Sequence, residues 1–145
     1  MTRVAFISFV PILCLFGCFR SAPPRDGFIR SFGASLSPDR KKKVEVIRRE
    51  KSLVDFKVLD AATGKQLVKD YVGSDAMRWF LWWETPDRLW GYGSDIGYFK
   101  RFDFTATGVS QTGIQSGTEV PQEVWDNLPN FMQKRVKAKA SEKKG

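Results

Sequence analysis

The stretch Met77-Arg-Trp-Phe-Leu-Trp-Trp-Glu84 constrains the fold more than any other part of this chain. Successive side chains of a strand point to opposite faces, so Trp79, Leu81 and Trp83 go to one side and Phe80 and Trp82 to the other. A sheet with one wet face does not carry large apolar rings on both. The strand therefore lies in a sheet covered twice, or it presents one row of rings to a ligand.

The strands that would pair with it follow the same period of two. Val44 to Arg49 reads as a strand with Glu50-Lys-Ser as its turn, and Leu53 to Asp60 puts Val54, Phe56 and Val58 on one face. Asp60-Ala-Ala-Thr-Gly64 is a turn whose glycine can take positive φ, and Lys65 to Val72 returns as the partner strand. Beyond the aromatic strand, Thr85-Pro-Asp-Arg88 is a turn with Pro at its second position. Leu89 to Tyr92 and Tyr98 to Phe104 follow as strands, with a further short one within Gly108–Gln115. The chain closes with helix. Pro121 suits a first helical turn, and Val124, Leu128, Phe131 and Arg135 fall at helical spacing, with Trp125 and Met132 widening the stripe. Pro129 splits this stretch into a short piece and a second one reaching about Lys139. The expected domain, residues 44–140, is mainly β (α+β): an antiparallel meander of about five to six strands with a C-terminal helix packed on it. Residues 141–145 form a basic tail.

The N-terminus has a different character. Arg3 precedes a run of thirteen mostly apolar residues, Val4 to Phe16, and Gly17-Cys18 closes it. A spanning helix needs about 20 apolar residues, so the run fits the core of a signal peptide over residues 1–17. Leu15-Phe16-Gly17-Cys18 resembles the lipobox of bacterial lipoproteins. The resemblance implies cleavage between Gly17 and Cys18, a diacylglycerol thioether on Cys18, and an acylated new N-terminus. A plain secretory signal cut near Ser21-Ala22 and an uncleaved anchor are the alternatives. Phe19 stands where some lipoproteins carry an Asp that retains them at the inner membrane, so an envelope with two membranes would place this chain at the outer one. Residues 18–43 read as lipidated terminus and linker, with Pro23-Pro24 extended, Asp39-Arg-Lys-Lys-Lys43 a charge run, and Phe28, Ile29 and Phe32 as apolar interruptions.

Several function classes drop out on composition. There is no histidine, which removes His-based triads, His-ligated zinc and the commonest neutral-pH general base. Cys14 and Cys18 are the only cysteines, so the domain cannot build a disulfide framework or a thiolate metal site. No cofactor or metal is expected. The net charge of +8 is carried by the flanks: residues 52–133 hold seven basic and eleven acidic groups, while residues 38–51 hold seven basic and three acidic. A nucleic-acid-binding fold would concentrate Lys and Arg on its folded middle, so no nucleic-acid partner is expected. The basic run at residues 39–43 is either solvated or drawn to anionic head groups.

The aromatic cluster is the remaining candidate site. Trp82, Trp90 and Tyr92 would form a platform for a sugar or peptide, with Gly91 and Gly93 leaving room for a ring to stack. The opposing expectation is that sheet and helix bury these rings as core. Two carboxylate pairs, Glu84 with Asp87 and Asp95 with Asp103, could run glycoside hydrolysis or bind calcium, although no calcium-loop spacing is present and acids near turns commonly serve as turn formers. The leading functional expectation is a non-enzymatic, membrane-anchored envelope lipoprotein acting as a binding module for an envelope protein or glycan. The alternative is a structural envelope component that contacts anionic surfaces through its basic ends, and the remote one is a carboxylate-dependent hydrolase.

Overall fold

The alternating pattern folds into two antiparallel sheets packed face to face, which the computed structural model describes for residues 26–114, 120–128 and Gln133. The proposed signal peptide, Cys18, the expected helix beyond Pro129 apart from Gln133, and the basic tail lie outside the described residues. The strands are β1 (Phe28–Ile29), β2 (Gly33–Leu36), β3 (Lys42–Arg49), β4 (Leu53–Asp60), β5 (Gln66–Ser74), β6 (Trp79–Thr85), β7 (Arg88–Gly93), β8 (Phe99–Thr105) and β9 (Gly108–Ile114). One short helix, α1, spans Gln122–Asp126. The larger sheet has the order β1-β6-β7-β8-β9 and the smaller β2-β3-β4-β5. The chain is thus mainly β, an antiparallel meander with a small helix.

The central aromatic strand β6 is covered twice. Its inward row, Trp79, Leu81 and Trp83, joins Ile29, Leu89, Phe102 and Phe104 to meet Val44, Val46, Val54, Phe56, Val58 and Val72 of the smaller sheet. Phe56 and Phe102 meet edge to face across this layer, with ring centroids 5.4 Å apart. The outward row, Phe80 and Trp82, joins Phe28, Trp90, Tyr92, Phe99 and Ile114 under Val120, Val124 and Leu128. Among the described residues, then, a second sheet covers one face and α1 with its flanks covers the other.

Two strands lie inside the stretch read from the sequence as linker, and that boundary needs correcting. β1 and β2 hold only two and four residues, too few to display a period. The apolar residues of this stretch nevertheless make contact with the domain. Phe28 stacks on Trp82 at 5.5 Å, Ile29 is 5% exposed, and Phe32 lies 5.7 Å from the Trp79 ring. The chain passes from β1, on the edge of one sheet, to β2, on the edge of the other, and so closes one side of the sandwich. With these two, and with the short stretch after Gly108 forming a full strand, the count is nine, above the five to six expected.

The two sheets meet backbone to backbone where β5 passes β7. A Cβ on Gly93 would run into the carbonyl oxygen of Val72, so only glycine fits there. Opposite it, Gly73 holds a φ of 140°, and its backbone faces the carboxylate of Asp95.

Candidate functional site

The residues expected to form a platform lie on the covered face of the larger sheet. Register places Trp82 opposite Trp90 and Phe80 opposite Tyr92, so the rings share one face as the alternation requires. Trp90 and Tyr92 are each 1% exposed and Trp82 is 8%. Tyr92 sits between Phe80, at 5.3 Å, and Phe99, at 5.0 Å. Burial pushes the Tyr92 phenol above its ordinary range, and its hydroxyl has no hydrogen-bond partner among the described residues. The platform reading gives way here to core. Its supposed stacking space fails for a related reason: Gly91 and Gly93 face the other side of the strand, where a Cβ on Gly91 would meet Leu81 at 3.3 Å. The glycines let the sheets approach each other; they do not make room beside Trp90.

The covered face changes character toward the turn between β6 and β7. Glu84, Arg88, Arg101 and Asp103 gather there around the edge of Trp90. The Trp90 indole donates to Glu84 Oε2 at 2.7 Å, and Arg88 Nη1 lies 3.6 Å from the same oxygen. Arg88 also donates through Nε to Asp103, which takes a second bond from Arg101 Nε at 2.9 Å. The Arg101 guanidinium lies 5.9 Å from the Trp90 ring centre. Burial alone would raise the Asp103 pKa, but the bonds from Arg88 and Arg101 outweigh it and hold the carboxyl below its ordinary value. The matching pull of Asp103 raises Arg88.

This cluster brings together acids that the sequence had paired differently. Glu84 and Asp103 flank Arg88, while Asp87 pairs with Lys42 Nζ at 2.7 Å across the sheets. Asp95 accepts the Ser74 amide at 2.9 Å and so fastens the loop between β7 and β8 to the end of β5. A hydrolytic pair needs one carboxyl raised toward neutrality so that it can donate a proton. Asp103 is shifted the opposite way, and each of the four acids is engaged by a cation, an indole or a backbone amide. Among the described residues no group of three or more Cys, Asp or Glu is placed to hold a metal ion.

A polar contact that the sequence reading missed ties the open sides of the two sheets together. Lys100, 3% exposed, reaches from β8 to β5. Its Nζ donates to both Asp70 oxygens at 2.9 and 3.0 Å and to the Tyr71 carbonyl at 2.9 Å, and it lies 4.0 Å from the Tyr71 ring centre. Gln111 Nε2 completes the cluster on Asp70 at 2.9 Å. The signal was present in the strand itself, because Lys100 shares its alternation with the core residues Phe102 and Phe104.

No known protein family matches the chain, and no curated protein or solved structure matches it.

Proposed function

We propose that this chain is a lipid-anchored, non-catalytic domain of the bacterial cell envelope that acts through contacts of its outer surface close to the membrane. The observation that carries this reading is the double covering of the aromatic strand. With Trp82, Trp90 and Tyr92 in the core, the described surface is left chiefly to charged and polar side chains. That favours a structural, surface-contacting role over a ligand platform. The acids of the covered face support it further, since they are held ionised or bonded within the framework. Attachment rests on Cys18 and the apolar run before it, and more than one acyl chain gives stable anchoring.

Cys18→Ser tests the anchor. The wild-type chain should carry diacyl mass on a mature N-terminus that begins at residue 18 and should resist an alkaline wash of the membranes. The variant should lack that mass and accumulate as precursor or as a chain cut elsewhere. If both mature identically, Cys18 is not the tether.

A further inference from the structure

Four turns gather at one end of the sandwich: residues 37–41, 61–65, 85–88 and 105–108. The first and third are joined directly, since Lys42 Nζ donates to the Pro86 carbonyl at 3.0 Å and to Asp87. The Ala61 amide donates to the Lys41 carbonyl at 2.8 Å, and the Phe104 amide to the Asp87 carbonyl at 2.9 Å, which brings in the other two. This end carries Arg40, Lys41, Lys42, Lys43, Lys65 and Arg88 against Asp39, Asp60 and Asp87. Lys42, Lys43 and Arg88 have carboxylate partners. Arg40, Lys41 and Lys65 are exposed and make no ion pair among the described residues.

The turn that presents two of these cations is built, not slack. Asp39 Oδ1 accepts the Ser37 hydroxyl at 2.7 Å and the Lys41 amide at 3.1 Å, and the Arg40 amide donates to the Ser37 carbonyl at 2.9 Å. Arg40 holds a φ of 62°, a left-handed conformation for a side chain pointed at solvent. The Asp39 carboxyl stays below its ordinary pKa despite burial, held by Ser37 and the Lys41 amide, and so belongs to the turn.

The N-terminal segment enters at this same end. β1 runs antiparallel to β6, and the Gly27 carbonyl accepts the Trp83 amide, so Asp26 lies beside the last residues of β6, next to the 85–88 turn. From Cys18 to Asp26 the backbone spans at most about 28 Å, close to the length of the strands, about 25 Å at roughly 3.3 Å per residue.

We infer that the Arg40–Lys41–Lys65 end docks on anionic phospholipid head groups and stands the sandwich upright on the membrane to which Cys18 tethers it. The orientation rests on the anchor reading of the previous section; the charge recognition does not. A short tether holds the end at high local concentration near the surface, and each cation there adds a roughly fivefold preference for an anionic membrane.

The test uses the acylated full-length product purified from membranes and reconstituted in vesicles of phosphatidylcholine with or without phosphatidylglycerol. Cys14 leaves with the signal peptide and Cys18 is acylated, so an introduced cysteine is the only free thiol for a donor dye. Energy transfer to a head-group acceptor should be high from Thr63→Cys and low from Ala76→Cys on phosphatidylglycerol vesicles. It should fall from Thr63→Cys on neutral vesicles or in high salt. Arg40→Asn/Lys41→Gln, with asparagine chosen because it tolerates the left-handed backbone, should lower the docked-to-undocked ratio roughly 25-fold. Lys65→Gln, in a separate turn, should lower it about fivefold, and Arg78→Gln at the opposite end should leave it unchanged. Equal transfer on both vesicle types, or higher transfer from Ala76→Cys, overturns the inference. So does an end that ignores vesicles yet is retained by an anionic polysaccharide, which would point to a polymer partner. A product without acyl mass refutes the Cys18 anchor alone. The docking is then read from co-sedimentation of that same unacylated product with the two vesicle types, where charge-independent binding overturns it.

Discussion

Lys100 and Asp70 offer the sharpest test of how the two sheets are held together. Breaking a buried ion pair from one side costs about 3–5 kcal/mol, mostly because a charge is left without a partner. Here the Asp70 side chain is 15% exposed and keeps Gln111, so Lys100→Met should cost less than that range, about 2–3 kcal/mol. Asp70→Asn leaves the ammonium with the Tyr71 carbonyl, the Tyr71 ring and an amide oxygen, and should cost about 2 kcal/mol. The double variant has no stranded charge. It should cost about 2 kcal/mol in total, which makes the coupling between the two positions about 2–3 kcal/mol.

Urea titration followed by tryptophan fluorescence reads this directly, since Trp79, Trp82, Trp83 and Trp90 all lie in the core. With an ordinary slope for a domain of this size, Lys100→Met should move the midpoint by roughly 1–2 M and leave the slope unchanged. The same loss should lower Tm by about 4–8 °C per kcal/mol. Coupling under about 0.5 kcal/mol, or a neutral Lys100→Met, would show that the contact seals the sandwich edge without holding it, and the reasoning would be wrong.

Two further outcomes follow from the same packing. Gly93→Ala places a methyl group against the Val72 carbonyl where β5 crosses β7, and should cost about 3 kcal/mol or more in a urea titration. A cost under about 1 kcal/mol would mean that the sheets can slide apart there. The acid limb of stability should depend on Asp103, whose folded pKa is depressed below its ordinary 3.8. Its contribution is complete above that value and is lost as pH falls through the lower, folded one. Glu45 acts in the same direction, because hydrogen bonds first from Lys43 and then from Lys57 hold it below its ordinary 4.5. Asp103→Asn should therefore flatten the loss of stability between about pH 5 and pH 2, and an unchanged slope would assign that loss to other carboxylates.

How much was legible in the sequence can be seen strand by strand. β3 to β9 were readable because each holds at least six residues, long enough for alternation to show. β1 and β2 were hidden by brevity and by the Pro- and Gly-containing stretch around them. The apolar residues Phe28, Ile29 and Phe32 stand out in this stretch, but no local pattern says which sheet such residues join. The choice between platform and core for Trp82 and Trp90 was undetermined for a deeper reason. A doubly apolar strand states that both faces need cover, and what covers them is set by residues far along the chain, Phe28 and the stretch from Val120 to Leu128 on the face of Trp82. The carboxylate cluster failed in a similar way: Glu84 and Asp103 meet through the β6-β7-β8 register, while the sequence showed only near neighbours.

The same register ties the question of the anchor to the integrity of the core. Trp82 is covered on one flank by Phe28, and Phe28 is held by β1, whose two residues pair with β6. Arg30 fastens that strand twice, through Nη1 to Asp26 at 2.8 Å and through Nη2 to Asn127 at 2.7 Å, just beyond α1. Asp26 adds the Phe28 amide at 3.0 Å, and the Arg30 guanidinium lies 4.4 Å from the Phe28 ring centre. The strand nearest Cys18 and the helix that covers Tyr92 are therefore clamped to each other. Under the proposed anchoring, the Asp26–Arg30–Asn127 clamp and the Gly27–Trp83 bond lie where the chain from the lipid joins the aromatic face. The electrostatic end lies beside this point of entry. Docking there would shorten the free tether and take that load off β1, so the basic turns and the clamp serve the same end of the molecule.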